Sequence, residues 1–386
     1  MPTTSYWLEE ARGREIARRR IEGRAEVVVI GGGVTGCSCA LTLAERGVRV
    51  RLHEAGEIAG GASGRNGGFA LRGAAMPYDE AHEALGADHA QLVMSLTERS
   101  LDRMEALAGD AFRRAGSLRL AWDEAELAAL EREHDALRGD GFDVEWVEEL
   151  PERLTGLYRG AILHPHDGAL LPARWVRRLA AHAADAGAEI REHDPVAIDD
   201  VDADAIVVAG DGYTASLLPE LAEAVRPTRG QVLVTEPLAE RLYERPHYAR
   251  GGYDYWQQLP DGRLVIGGQR DTSFETEDTD VLETTNTIQD RLDTLVEQLV
   301  GGRPRVTHRW AGIWGTTPDL LPLAGRVSGR ENVWIAGGYS GHGNALGLAC
   351  GDLVARAILG EHPPELQVFD PAQRSLKFHQ VLPDRT

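Results

Sequence analysis

Lysine is almost missing from this chain: Lys377 is the single lysine among 41 Lys+Arg residues. A lysine Schiff base or lysine general base is therefore excluded nearly everywhere, and any cation in a site is expected to be Arg or His. Cysteine is scarce as well. Cys37, Cys39 and Cys350 are the only three, too few for a disulfide framework, and no spacing of Cys and His suggests a metal site; a reducing, cytoplasmic compartment is expected. No run reaches the roughly 20 apolar residues of a membrane span, and the N-terminus lacks an apolar signal core. Positive charge is also in deficit. With 61 Asp+Glu the net charge is −20, which disfavours nucleic acid and anionic membranes as partners.

What the chain has in excess is glycine, 44 in 386 residues, against a usual share of about 7%. The length itself predicts two or three domains. Residues 1–24 form a leader in which Tyr6-Trp7-Leu8 precedes Arg12, Arg14, Arg18, Arg19 and Arg20 interleaved with Glu9, Glu10 and Glu15. Such mixed charge predicts a solvated helix whose aromatic end docks on the body, in preference to a basic recognition arm. Glu26-Val27-Val28-Val29-Ile30 then reads as a strand buried on both faces. A helix from Val34 to Arg46 and a strand through Leu52 to His53-Glu54 complete a βαβ unit.

Helical spacing of Leu and Met marks 79–107 and 123–138, and a second α/β unit runs through 173–186 to the strand 205–209. The latter ends in Gly210-Asp211-Gly212-Tyr213-Thr214. From 226 to 268 short β runs separated by turns, including Pro260-Asp261-Gly262, predict antiparallel sheet. A helix at about 283–300, a strand at 332–336 and a last helix at about 344–359 close the pattern.

Three glycine-rich segments carry the chemistry. Gly31-Gly32-Gly33-Val34-Thr35-Gly36 sits between strand and helix, with Glu54 at the end of the next strand, 23 residues after Gly31. Gly31 permits the turn, Gly33 lets backbone approach a pyrophosphate, Gly36 allows close helix packing, and Glu54 can accept ribose hydroxyls. A purely structural turn would not require strand, helix, second strand and acid to fall in register. The second segment is Gly60-Gly61-Ala62-Ser63-Gly64-Arg65-Asn66-Gly67-Gly68-Phe69. Its glycines leave backbone amides for a ligand, and Ser63, Arg65 and Asn66 add side-chain donors; a flexible surface loop is the alternative. The third, from Gly337 to Gly351, opens a helix whose positive end can face a group gaining negative charge.

These residues resemble a known family. GGGVTG with Glu54, ASGRNGGF, RPTRGQVLVTEP at 226–237, LPDGRLVIGG at 259–268, WAGIWGTTPDLLPLAG at 310–325 and IAGGYSGHGNALG at 335–347 look like the D-amino-acid oxidase, glycine oxidase and sarcosine oxidase superfamily. Tyr6-Trp7 and ASGRNGG look most like its gamma-glutamylputrescine oxidase branch. The resemblance implies a mixed α/β fold: a Rossmann-like FAD-binding domain in pieces, 25–78, 150–225 and 310–376, interleaved with a substrate domain, 79–149 and 226–309, whose antiparallel sheet roofs the flavin. It assigns FAD to Gly31, Gly33, Val34, Thr35, Gly36, Glu54, Ala62, Ser63, Arg65, Asn66, Gly67, Gly68, Gly338, Tyr339, Ser340, Gly341, His342 and Gly343. Asp319 and Pro322 match positions supporting the same wall.

The implied reaction is oxidation of the C–N bond of an amine or amino acid, with hydride transfer to flavin and hydrolysis of the resulting imine. Dioxygen or another acceptor would take the electrons; a dehydrogenase and a non-catalytic flavin-binding subunit remain as alternatives. Aromatic and imidazole candidates around the reacting carbon are Tyr253, Tyr255, Trp310, Trp314 and His342, with Trp256 and Tyr339 beside them, and core packing competes as an explanation for each.

The departures from the family are informative. Gly312 stands nearest to the cysteine through which sarcosine oxidases attach flavin, so noncovalent FAD is expected. Trp314 replaces the carboxylate-binding Arg of glycine oxidases, and Ala345 replaces a Lys of sarcosine oxidases. Arg72 or Arg270 could still bind a carboxylate, but an amine without one is the better expectation. Lys377, near the C-terminus, is no counterpart of the lysine linked to dioxygen activation. The oligomeric state is not legible.

Overall fold

The computed structural model describes residues 4–12, 16–17, 19–374 and 376. Arg14, Glu15 and Arg18 of the leader, and Lys377, lie outside the described residues. The chain divides into two units. One takes in Met1–Glu10, Arg65–Pro172 and Arg229–Gly312; the other takes in Ala11–Gly64, Ala173–Thr228 and Ile313–Thr386. These borders differ from the expected 25–78, 150–225 and 310–376: residues 65–78 and 150–172 group with 79–149, and the leader is split after Glu10.

The second unit is built on a six-stranded sheet. Its strands are β1 (Val27–Ile30), β2 (Val50–His53), β3 (Glu189–Arg191), β4 (Ala205–Val208), β5 (Leu323–Arg326) and β6 (Val333–Gly337), and their spatial order is β5-β6-β4-β1-β2-β3. All neighbours are parallel except the edge pair β5/β6. Parallel strands covered on both faces should be apolar throughout, and every residue of β1, β4 and β6 is buried. Helix α1 (Val34–Glu45) follows β1, and α2 (Gly343–Ile358) follows β6. Both are rich in small residues. Gly351 meets the Thr35 carbonyl and Gly347 the Thr35 hydroxyl so closely that an added Cβ would lie at 2.3 and 2.8 Å, so the two helices cross with backbones nearly touching.

The first unit holds an eight-stranded sheet in the order 306–316, 226–237, 263–268, 254–258, 247–249, 117–121, 160–164, 145–146. Antiparallel pairing dominates, as the turn-separated runs predict, with one parallel pair between His247–Ala249 and Ser117–Ala121. Gly262, at φ 90°, makes the turn between Asp254–Gln258 and Arg263–Gly268. One face of this sheet is covered by the helix Asn286–Val300, whose Ile288, Leu292, Leu295, Val296 and Leu299 pack with Leu118, Leu233, Trp256 and Ile266. The periodic segment 79–107 is two helices, Tyr78–Leu85 and Ala87–Ala108, because Gly86 between them takes φ 80°. Among the described residues no helix is long and apolar enough to cross a membrane.

Candidate functional site

In the six-stranded unit the groups expected to hold a dinucleotide converge at the C-terminal end of β1. Gly31 has φ 117°, and a Cβ on it would lie 2.5 Å from the Ala209 carbonyl oxygen. A Cβ on Gly36 would lie 1.9 Å from the Gly31 carbonyl oxygen. Neither position tolerates a side chain. Gly33 precedes α1 without capping it; Ser63 does so instead, its Oγ accepting from the Val34 amide at 3.0 Å. The next first-turn amides, of Thr35 and Gly36, have no carbonyl one turn earlier to bond, and the helix end carries partial positive charge.

Glu54 follows β2. Its Oε2 accepts from the Gly32 amide and its Oε1 from the Gly56 amide, each at 2.7 Å. A carboxylate accepts about four hydrogen bonds, so two directions remain for ribose hydroxyls while the backbone fixes the group's orientation. The cradle of unsubstitutable glycines, the helix end and this oriented acid fit the adenosine and pyrophosphate part of FAD.

The Gly338–Gly343 segment is tied to the same sheet by a residue that sequence reading passed over. Asp211, half-buried and at φ 45°, accepts from the amides of Gly338 (2.9 Å) and Tyr339 (3.4 Å), and the nearby amides of Gly212 and Gly315 also favour its charged form. Burial still pushes its carboxyl above the usual range, the amides only partly compensating. An acid between two glycines at a strand end was the available signal. Tyr339 is buried, and its hydroxyl shares a 2.8 Å hydrogen bond with Thr35 Oγ1, so its side chain ties the segment to α1. Ser340, at φ 51°, donates its amide to the Gly315 carbonyl at 2.8 Å, and its Oγ accepts from the Thr317 amide at 3.2 Å. The His342 amide donates to the Tyr339 carbonyl, and its ring is partly exposed at the start of α2. Trp314 is also partly exposed, its backbone against Gly212. Asp319 is held by Arg374, which also donates to the Leu321 carbonyl.

In the other unit, Tyr255 and Trp256 are neighbours on one strand and so face opposite sides of the sheet. Tyr255 lies against Gly67 and Gly267, and Phe69 meets it edge-on at 5.6 Å. Trp256 is fully buried between Tyr158 (6.0 Å) and His247 (5.0 Å); it belongs to the core and not to a roof. Trp310 is likewise fully buried, its indole donating to the Arg65 carbonyl at 2.7 Å. Tyr253 is partly exposed with the Arg270 guanidinium over its ring, and Arg270 also lies over Phe274 at 4.9 Å. Arg72 is not placed to clamp a substrate carboxylate. Its side chain is 1% exposed and paired with Glu98, and it donates to the Asp143 carbonyl and to His164 Nδ1. A Cβ at Gly312 would lie 3.0 Å from the Arg65 Cβ, and no thiol stands there. Cys37, Cys39 and Cys350 are all buried and free.

Strand, glycine turn, helix and terminal carboxylate in one parallel sheet define a dinucleotide-binding protein of the α/β class. The family described as DAO, FAD dependent oxidoreductase, matches residues 26–357, and the chain belongs to that family. It is an FAD-dependent oxidoreductase acting on amines or amino acids. The gamma-glutamylputrescine oxidoreductase of Escherichia coli (strain K12) is 30% identical over 368 residues, covering 87% of this chain and 84% of that protein. The glycine oxidase of Geobacillus kaustophilus (strain HTA426) is 27% identical over 395 residues, covering 92% and 97%. A crystal structure of glycine oxidase from Geobacillus kaustophilus has the same fold, with a TM-score of 0.75, 24% identity, and coverage of 93% of this chain and 100% of that one.

Proposed function

We propose that this enzyme oxidises the C–N bond of an amine lacking an adjacent carboxylate, in preference to an α-amino acid, and holds FAD noncovalently. The chemistry FAD supplies when bound is removal of a hydride from the carbon bearing the nitrogen of the neutral amine, leaving an iminium ion that water converts to an aldehyde or ketone plus amine or ammonia, with release of a proton. The glycines at 31, 33 and 36 and the first turn of α1 bind the pyrophosphate, and Glu54 orients the adenosine ribose. Gly338–Gly343, held by Asp211, and the loop 65–68 are assigned to the flavin ring. Tyr253, Tyr255, Trp314 and His342 are the side chains assigned to the substrate; Trp310 acts through the loop it holds.

The observation that carries the preference for an amine is the absence of the carboxylate clamp. Position 314 is Trp, Arg72 is buried and already paired with Glu98, and Arg270 is stacked over Tyr253 and Phe274 with Asp278 3.7 Å from its guanidinium. No strong base is required when the amine enters neutral. Three buried thiols support a reducing, cytoplasmic location. The test is anaerobic bleaching of the flavin band by primary amines, N-methyl amino acids and D-amino acids. Amines should bleach it fastest; bleaching by glycine or D-alanine and by no amine would overturn the preference.

A further inference from the structure

The first helix, Tyr6–Glu10, has five residues, far below the length at which an isolated helix holds together. It is fixed by its aromatics. Trp7 is fully buried, and the Tyr6 ring meets His308 edge-on at 5.5 Å under the Arg263 guanidinium. The Trp7 indole Nε1 donates to the Asn66 carbonyl at 2.8 Å. Trp310, which meets Trp7 edge-to-face at 6.3 Å, donates in the same way to the Arg65 carbonyl at 2.7 Å. The next two carbonyls are taken as well: Gln257 Nε2 donates to Gly67 at 2.7 Å and to Gly68 at 2.9 Å.

Four successive carbonyls of one loop are thus held by side chains from other parts of the same unit. This has a geometric consequence for the amides. The described chain has no cis peptide, and in a trans peptide the N–H points opposite to the preceding C=O. Pinning the Arg65 and Asn66 carbonyls to two indoles therefore turns the Asn66 and Gly67 amides to the opposite side. The Gly68 amide returns to Asn66 Oδ1 at 2.8 Å. Successive amides turned to one side form a concavity for an electron-rich acceptor. Gly67 also has no room for a side chain, since a Cβ would lie 2.7 Å from the Tyr255 ring.

We infer that Trp7 is a positioning residue for the cofactor: through its indole N–H the N-terminal leader sets the direction of the loop amides that face the flavin. This rests on the assignment of the loop 65–68 to FAD made above. In Trp7→Phe the ring remains and the donor is lost, so the peptide between Asn66 and Gly67 can rotate and must be reordered each time FAD binds. Benzothienylalanine at position 7 keeps the bicyclic shape and removes only the N–H, which guards against a folding defect.

The experiment is titration of the apoprotein with FAD, followed by quenching of flavin fluorescence, together with the visible circular dichroism of the bound flavin. Both replacements should raise the Kd for FAD about 10-fold, the order expected for one buried hydrogen bond, and alter the visible dichroism. Tyr6→Ala, which disturbs the leader without touching the loop carbonyls, should leave the Kd unchanged. Equal Kd and dichroism in native and replaced proteins, with apo and holo melting temperatures lowered alike, would overturn the inference and leave Trp7 a packing residue. A loss in Tyr6→Ala as large as in Trp7→Phe would also overturn it. Failure of the native protein to bind FAD would instead refute the assignment of the loop.

Discussion

Removing the Asp211 carboxylate should separate the two jobs it performs, holding the Gly338–Gly343 segment and burying a charge. Its carboxylate accepts from two backbone amides of that segment, those of Gly338 and Tyr339. In Asp211→Ala both lose their acceptor inside the protein. An unsatisfied buried donor costs about 1–3 kcal/mol, and relief from burying a charged group offsets part of the total, so a net loss of about 2–4 kcal/mol is expected. Asp211→Asn keeps one carbonyl oxygen and also tolerates the left-handed backbone at φ 45°. It should lose about half as much.

Urea unfolding of the apoprotein measures both losses, and FAD titration shows whether the segment has moved. The carboxyl's folded pKa is raised above its ordinary value by burial, so between those two values the folded state binds more protons than the unfolded state. Stability should therefore fall as pH rises through that window and level off above it, and Asp211→Asn should remove this slope. An Asp211→Ala protein within about 0.5 kcal/mol of the parent, the range of an ordinary surface change, would refute the reasoning.

The remaining predictions concern the cofactor and the substrate. Acid or heat denaturation should release the flavin into the supernatant, because position 312 is Gly; flavin retained in the precipitate would show a covalent link. Gly36→Ala places a Cβ 1.9 Å from the Gly31 carbonyl oxygen, and it should cost about 1–3 kcal/mol by overpacking and weaken FAD binding in a fluorescence titration. Glu54→Gln turns an amide donor toward the N–H of Gly32 or Gly56; it should raise the Kd for FAD by about 10-fold. Trp314→Arg should shift anaerobic bleaching toward carboxylate-bearing substrates, and an unchanged substrate ranking would show that position 314 does not face the substrate.

The parallel core was open to sequence reading because both of its signals are local. Val27–Ile30 is apolar on both faces, and the glycines at 31, 33 and 36 stand at fixed spacing from it. The separation of Tyr255 from Trp256 was also legible, since neighbours on a strand point to opposite faces; treating both as roof residues ignored that period. Arg72 could not be judged from sequence. What disqualifies it as a clamp is its contact with Glu98, Asp143 and His164, residues 26, 71 and 92 positions away. The strands Ser117–Ala121 and Gly160–His164 escaped notice because they are short and pair with each other across long loops. Trp7 and Asp211 act through backbone groups of distant residues, and no spacing rule exposes such partners.

The central claim is oxidation of a C–N bond with FAD as the immediate acceptor. Its most direct measurement is a single anaerobic turnover: the FAD-loaded protein is mixed with an amine that bleaches it, and the carbonyl product is trapped with a hydrazine reagent and counted. One equivalent of aldehyde or ketone per flavin bleached is the predicted result. Bleaching without any carbonyl product, or a flavin that no amine or amino acid bleaches, would contradict it.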